Sequence, residues 1–246
     1  MVKTDSTGLD AGWVSVPAAD RELPAYRAQP AGKASLATVL VVQEIFGVHE
    51  YIQDVCRRLA HAGYLAIAPE LYVRQGDPTR YTEIPALVSE VVAKVHDQQV
   101  MADLDAAAIW ASRNDGGGKL GMTGFCWGGR IVWMYAAHNP RLAAGVAWYG
   151  PTARSFAAGD RTPLDVAADI RAPMLALYGG ADAGIPSEAV EQMLAALKAS
   201  GNVRSELVLY PDTPHAFHAD YRPSFRKAPA DDGWNRLLAW FRQFLN

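Results

Sequence analysis

Apolar runs and helical periodicities alternate along this chain. Ala37–Val42 is a continuous apolar, β-branched run, the pattern of a strand buried on both faces. At His49–Gly63 the period changes. Ile52, Val55, Cys56, Leu59 and Ala60 recur at helical spacing, and Gly63 supplies a C-terminal stop. Leu65–Ala68 predicts the next strand, closed by Pro69. A long helical stretch follows over Ile84–Arg113, with a break expected near His96–Gln98. Residues 114–118 form a loop ending in three consecutive glycines. Further strands are predicted at Lys119–Thr123, Ala143–Trp148, Met174–Tyr178 and Ser205–Tyr210. The matching helices are Gly128–Ala137, Ser187–Ser200 and Asp231–Phe244. Ala153–Ile170 reads as irregular with one short helix, and Trp13–Val16 with Leu23–Arg27 as a short N-terminal pair.

Alternation of this kind predicts an α/β fold: a mostly parallel sheet of about eight strands with helices on both faces. No repeat, low-complexity tract or linker interrupts it. The expectation is one domain over residues 1–246, with 1–11 a flexible tail. In such sheets chemistry collects at the carboxyl ends of the strands.

Composition narrows the function classes. Half of the 246 residues are hydrophobic, a fifth are charged and the net charge is −3. No basic stripe stands out, so nucleic acid is not an expected partner. The longest apolar runs, such as Leu36–Val42, fall far short of the roughly 18 residues of a membrane span. The N-terminus lacks an apolar run after its lysine, so no secretory signal is read and a cytoplasmic location is expected. Two cysteines, Cys56 and Cys126, are too few for a disulfide framework and are expected as free thiols.

The two thiols sit in different settings. Cys56 lies on the apolar face of a predicted helix and reads as core. Cys126 lies in Gly124-Phe-Cys-Trp-Gly128, which matches the spacing G-x-nucleophile-x-G. There the nucleophile occupies strained backbone between a strand and a helix, and the flanking glycines avoid a collision across the turn. N–H groups at the helix start can then stabilise negative charge. The bland alternative is a small buried cysteine in a glycine-rich turn.

A thiol nucleophile wants a histidine base, and the histidine wants a carboxylate to hold its tautomer. His49, His61, His96 and His138 fall in or beside helices and read as surface or capping residues. His215 and His218 follow the last predicted strand. His215 is preferred, being nearer the strand and stiffened by Pro214. The pair lacks an evident third ligand, so no metal is expected. Asp182 follows the strand Met174–Tyr178 in a glycine-bounded loop, where the alternative is a turn-stabilising aspartate. The order Cys126, Asp182, His215 is the one this class of sheet uses.

Several segments together resemble the dienelactone hydrolase family (carboxymethylenebutenolidases), a cysteine branch of the α/β-hydrolases. They are Gln43-Glu-Ile-Phe-Gly47, Pro69-Glu-Leu-Tyr72 with Arg74, Gly124-Phe-Cys-Trp-Gly-Gly129, Gly179-Gly-Ala-Asp182 and His215-Ala-Phe217. The resemblance runs from about Gly12 to Leu245 and implies a catalytic Cys126–Asp182–His215 triad. It implies that Glu44 helps to generate the thiolate, with a structural ion pair, for instance to Arg74, as the alternative. Backbone N–H groups of Ile45 and Trp127 are implied as the oxyanion hole. Family members acting on dienelactone hold its carboxylate with two arginines. Arg74 fits the first, but the second position is Ala219. Arg222 nearby is weighed both as its replacement and as a solvated surface residue. Phe46, Trp127, Tyr149 and Phe217 are expected as an aromatic lining.

The function expected is hydrolysis of a small ester or lactone through a thioester, with no cofactor. The alternatives are a thioesterase of the same fold or a non-catalytic binding protein.

Overall fold

The computed structural model describes residues 3–34, 37–114 and 116–246. Leu36, Asp115 and the first two residues of the expected tail lie outside the described residues. The strands are β1 (Leu9–Pro17), β2 (Glu22–Pro30), β3 (Thr38–Val42), β4 (Leu65–Pro69), β5 (Leu120–Phe125), β6 (Leu142–Trp148), β7 (Met174–Gly179) and β8 (Glu206–Tyr210). The helices are α1 (Glu50–His61), α2 (Ile84–Glu90), α3 (Asp97–Arg113), α4 (Trp127–His138), α5 (Pro163–Val166), α6 (Ser187–Ala199) and α7 (Lys227–Leu245).

The eight strands of this mostly parallel sheet divide four and four between two compact units. One unit holds the residues up to Leu120 together with Ser155–Asp160. Its strand order is β1-β2-β4-β3. β1 and β2 pair antiparallel, β2 and β4 antiparallel, β3 and β4 parallel. All five positions of β3 and of β4 are buried, which is why neither alternates in sequence. On α1 the residues Ile52, Val55, Cys56, Leu59 and Ala60 are buried as their spacing predicts.

The other unit holds Gly121–Arg154 and Arg161–Asn246. Its order is β5-β6-β7-β8, with β6, β7 and β8 paired in parallel. The Thr123 hydroxyl donates to the Val146 carbonyl and accepts from the Trp148 indole, which ties β5 to β6.

The structure departs from the sequence expectations in two places. The N-terminal pair is longer than its apolar core suggests, and β1 begins at Leu9, inside the expected tail. Ahead of it, the Thr4 carbonyl accepts from Arg57 Nε at 2.7 Å, so this segment is tied to α1. The break in the long helical stretch comes earlier than expected. α2 ends at Glu90, a short 3-10 turn covers Val92–Lys94, and α3 restarts at Asp97. The Asp160 carboxylate accepts the Asp97 N–H at 2.9 Å and caps the restart from 63 residues away. Among the described residues, no helix is long and apolar enough to cross a membrane.

Candidate active site

The strand-to-helix turn after β5 is built from close backbone approaches. Cys126 has φ 55 and ψ −116, a region costly for any residue with a side chain. A Cβ at Gly124 would stand 2.4 Å from the Gly128 carbonyl oxygen, which is the cross-turn collision that the spacing implies. A third glycine, Gly129, faces the Trp148 carbonyl, where a Cβ would again meet oxygen at 2.4 Å. The Cys126 N–H donates to that carbonyl at 3.0 Å. The turn is thus pinned to the end of β6, and the half-buried thiol sits at the N-cap of α4.

Asp182 and His215 belong to the same unit as Cys126 and meet. His215 Nδ1 lies 2.6 Å from Asp182 Oδ2, and the Gly184 N–H donates to Asp182 Oδ1 at 2.9 Å. A further hydrogen bond joins His215 to Cys126. Burial alone would lower the histidine's pKa. The hydrogen bonds to Asp182 and Cys126, with their charges, outweigh it and raise the pKa to about 10. Besides Cys126, the non-glycine residues with positive φ are Tyr149, Asp212 and Ala216. Two of these flank His215 in the chain. The third, Tyr149, sets its ring at 66° to the imidazole with centroids 5.1 Å apart.

This pKa has a consequence for stability. The folded value, about 10, stands above the ordinary histidine value of 6.5, so folding favours the protonated ring. The contribution is fully present below pH 6.5 and lost as pH rises through about 10. A third of the side chain is exposed, so solvent screening reduces its size. In thermal melts between pH 6 and 10, the melting temperature should fall more steeply for the native chain than for Asp182→Asn. Parallel curves would contradict this assignment.

The other expected residues are placed as follows. His218 is buried and stacks with Phe125 and Trp234 while packing against Trp148, so it does not share His215's setting. Among the described residues, no group of three His, Cys, Asp or Glu side chains could hold a metal ion. Tyr149 and Phe217 are fully buried and Trp127 nearly so, which corrects the expected aromatic lining. Tyr149 packs against both Phe217 and His215. Of the four, Phe46 alone is partly exposed.

Glu44, Ile45, Phe46 and Arg74 belong to the other unit. Glu44 is wholly buried, and its Oε2 lies 3.9 Å from His49 Nε2. The expected Glu44–Arg74 pair does not form. Arg74 instead makes four hydrogen bonds, two to Asp20 and two to Asp103. These bonds hold Asp20 down at about 2, whereas burial pushes Asp103 up. With two carboxylates around it, Arg74 is a structural clamp rather than an open anion receptor. Ala219 is buried, and the Arg222 N–H donates to its carbonyl in a turn.

The motifs after β3 and β4 are stitched together. Glu70 Oε2 accepts the Val48 N–H at 2.9 Å, and Gln43 Oε1 accepts the Leu71 N–H at 3.3 Å. Sequence reasoning gave Glu70 and His49 no such part.

Comparison with known proteins agrees with this fold. The family model described as "Dienelactone hydrolase family" matches residues 23–245. A "Putative carboxymethylenebutenolidase" of Methylorubrum extorquens is 58% identical, over 99% of this chain and 84% of its own. One of the same name from Escherichia coli is 55% identical, over 99% and 91%. The crystal structure of a "Putative Dienelactone Hydrolase" from Klebsiella pneumoniae is 54% identical, with a TM-score of 0.92 over 96% of this chain and 99% of its own. The chain therefore belongs to the dienelactone hydrolase family of α/β-hydrolases, enzymes that hydrolyse carboxylic ester and lactone bonds.

Proposed function

We propose that the protein hydrolyses a small carboxylic ester or lactone by a Cys126–His215–Asp182 triad through a thioester intermediate. The observation that carries this is the hydrogen-bonded chain from Asp182 through His215 to the thiol, which sits in left-handed backbone.

With its pKa raised to about 10, His215 has already taken the Cys126 proton on Nε2, and the thiolate beside it attacks the carbonyl carbon. The developing oxyanion is held by the backbone N–H of Trp127, the first residue of α4. His215 then protonates the leaving alkoxide, and Cys126 is left as a thioester. In the second half His215 takes a proton from water, the hydroxide attacks the thioester, and the carboxylic acid leaves. Asp182 keeps Nδ1 protonated throughout. No organic cofactor or metal enters these steps, and the partner is a small molecule.

Substrate choice is proposed only as far as the ester or lactone bond. Arg74 is engaged by two carboxylates and Ala219 carries no charge, so a clamp for the substrate's own carboxylate has no support here. A reducing, cytoplasmic setting fits the mechanism, which needs Cys126 as a free thiol, and both cysteines are free.

The acyl-enzyme gives the direct test. The enzyme is mixed with excess p-nitrophenyl acetate, quenched in acid within the first turnovers and digested. One acetyl group is expected on the peptide that carries Cys126. An unmodified Cys126 peptide during steady turnover, with the acetyl elsewhere or nowhere, would overturn the thioester.

A further inference from the structure

We propose that Tyr149 is a positioning residue for His215: its ring is a fixed wall that sets the plane of the imidazole and so aims Nε2 at the Cys126 sulfur. The proposal rests on the triad given above and deepens it, because the angle of the ring matters only if His215 exchanges a proton with the thiol. Every residue it uses belongs to one compact unit.

One hydrogen bond does not orient an imidazole. With Nδ1 held 2.6 Å from Asp182 Oδ2, the ring can still turn about that contact and swing Nε2 away from the sulfur. A flat neighbour removes that freedom. Tyr149 supplies one, 5.1 Å from the imidazole and at 66° to it. Its own ring is fully buried and packs on Phe217 at 5.3 Å and 68°. The loop that carries His215 is tied separately, by the Ala181 N–H donating to the Thr213 carbonyl at 3.0 Å.

The backbone shows that a side chain matters at this position. Tyr149 follows β6 with φ 37, a left-handed conformation that glycine takes freely and tyrosine takes at a cost. Its surroundings hold it there. The Trp148 carbonyl accepts the Cys126 N–H at 3.0 Å, and the Tyr149 N–H donates to the Leu177 carbonyl at 2.9 Å. The Gly150 carbonyl accepts from Tyr178 Oη at 2.6 Å. A Cβ at Gly150 would stand 2.2 Å from the Arg130 backbone nitrogen, so the chain passes hard against α4. Consecutive residues thus hold the amide of the nucleophile, the ring of the base and the strand β7. What the strained residue delivers is a ring against the imidazole.

The titratable groups that act on His215 besides Tyr149 are Asp182, from the loop after β7, and Cys126, at the elbow. Both do so through hydrogen bonds, which weaken steeply when their angle is lost. Removing the wall should therefore weaken the imidazolium–thiolate pair as well as turnover.

The test uses Tyr149→Leu and Tyr149→Phe in the full chain with an aryl ester. Tyr149→Leu should lower kcat about tenfold, inside the range of coupling between touching residues, and leave KM within about twofold. Iodoacetamide alkylation, read on the Cys126 peptide, should slow at pH 7 in this variant, and its rise with pH should move to higher pH. Tyr149→Phe keeps the ring and should stay within about twofold of the native chain in both measurements. In an Asp182→Asn background, Tyr149→Leu should change the alkylation rate by no more than about twofold. A leucine variant with the native alkylation profile, or a phenylalanine variant as slow as the leucine one, overturns the proposal. Tyr149→Met replaces the leucine variant if that chain does not fold. Cys126→Ala separates the two levels. If it turns over normally, the triad fails and the role of Tyr149 falls with it. If it is inactive while Tyr149→Leu keeps the native kcat, only the role of Tyr149 fails.

Discussion

Replacing Cys126 with alanine is expected to lower kcat by about 10⁴-fold or more, towards the uncatalysed rate. The substitution removes the only atom that could carry the acyl group. It leaves the fold intact, because alanine has the same Cβ that the turn already tolerates at φ 55. Its melting temperature should match that of the native chain, so a loss of turnover cannot be ascribed to unfolding. Cys126→Ser asks a sharper question. It keeps the geometry but replaces a thiol with a hydroxyl far harder to ionise. If His215 is tuned to a thiolate, the serine variant should be nearly as slow as alanine. A serine variant of native speed would mean that proton transfer out of the nucleophile is not limiting.

Asp182→Asn is expected to cost about 10⁴-fold in kcat with little change in KM. The magnitude follows from how Asp182 is held. Its Oδ1 accepts the Gly184 N–H and its Oδ2 faces His215 Nδ1. In the variant, the amide oxygen is drawn to the Gly184 N–H, because an NH2 group there would oppose a donor. The NH2 group must then face His215 and makes Nδ1 an acceptor. The ring proton moves to Nε2, the side that should receive the proton from Cys126, and the histidine can no longer act as a base in that orientation. The loss should shrink at high pH, where hydroxide can ionise the thiol directly. Full activity across the pH range would show that the 2.6 Å contact is structural, as the turn-stabilising reading of Asp182 holds.

What could be read from the sequence, and what could not, divides by the distance over which each requirement acts. The turn at Cys126 was legible because its constraint is local: glycine spacing records a backbone that cannot carry side chains. The strands β3 and β4 were legible as unbroken apolar runs for the same reason. Asp182 and His215 could be placed by order and by strand ends, although their meeting at 2.6 Å could not. Everything that depended on a distant partner was hidden. Arg74 looked like an anion receptor because Asp20 and Asp103 are 54 and 29 residues away in the chain. Tyr149 and Phe217 looked like a pocket lining because aromatic type does not reveal which face is buried. The restart of α3 was blurred because its cap, Asp160, comes from another segment. His49 reads as a surface or capping residue because its ring contacts with Tyr51 and Phe46 are not recorded in the local pattern.

The separation of Cys126 from His215 along the chain also bears on how the protein is made. Ribosomes add residues at about 5–20 per second, so on the proposed mechanism the thiol emerges roughly 5–20 seconds before the histidine that would activate it. Throughout that interval the nascent chain carries an ordinary thiol, which reacts slowly with electrophiles and does not acylate itself on cellular thioesters. Reactivity switches on only when the loop after β8 folds back onto the elbow. A chain truncated before that loop would therefore be harmless as well as inactive.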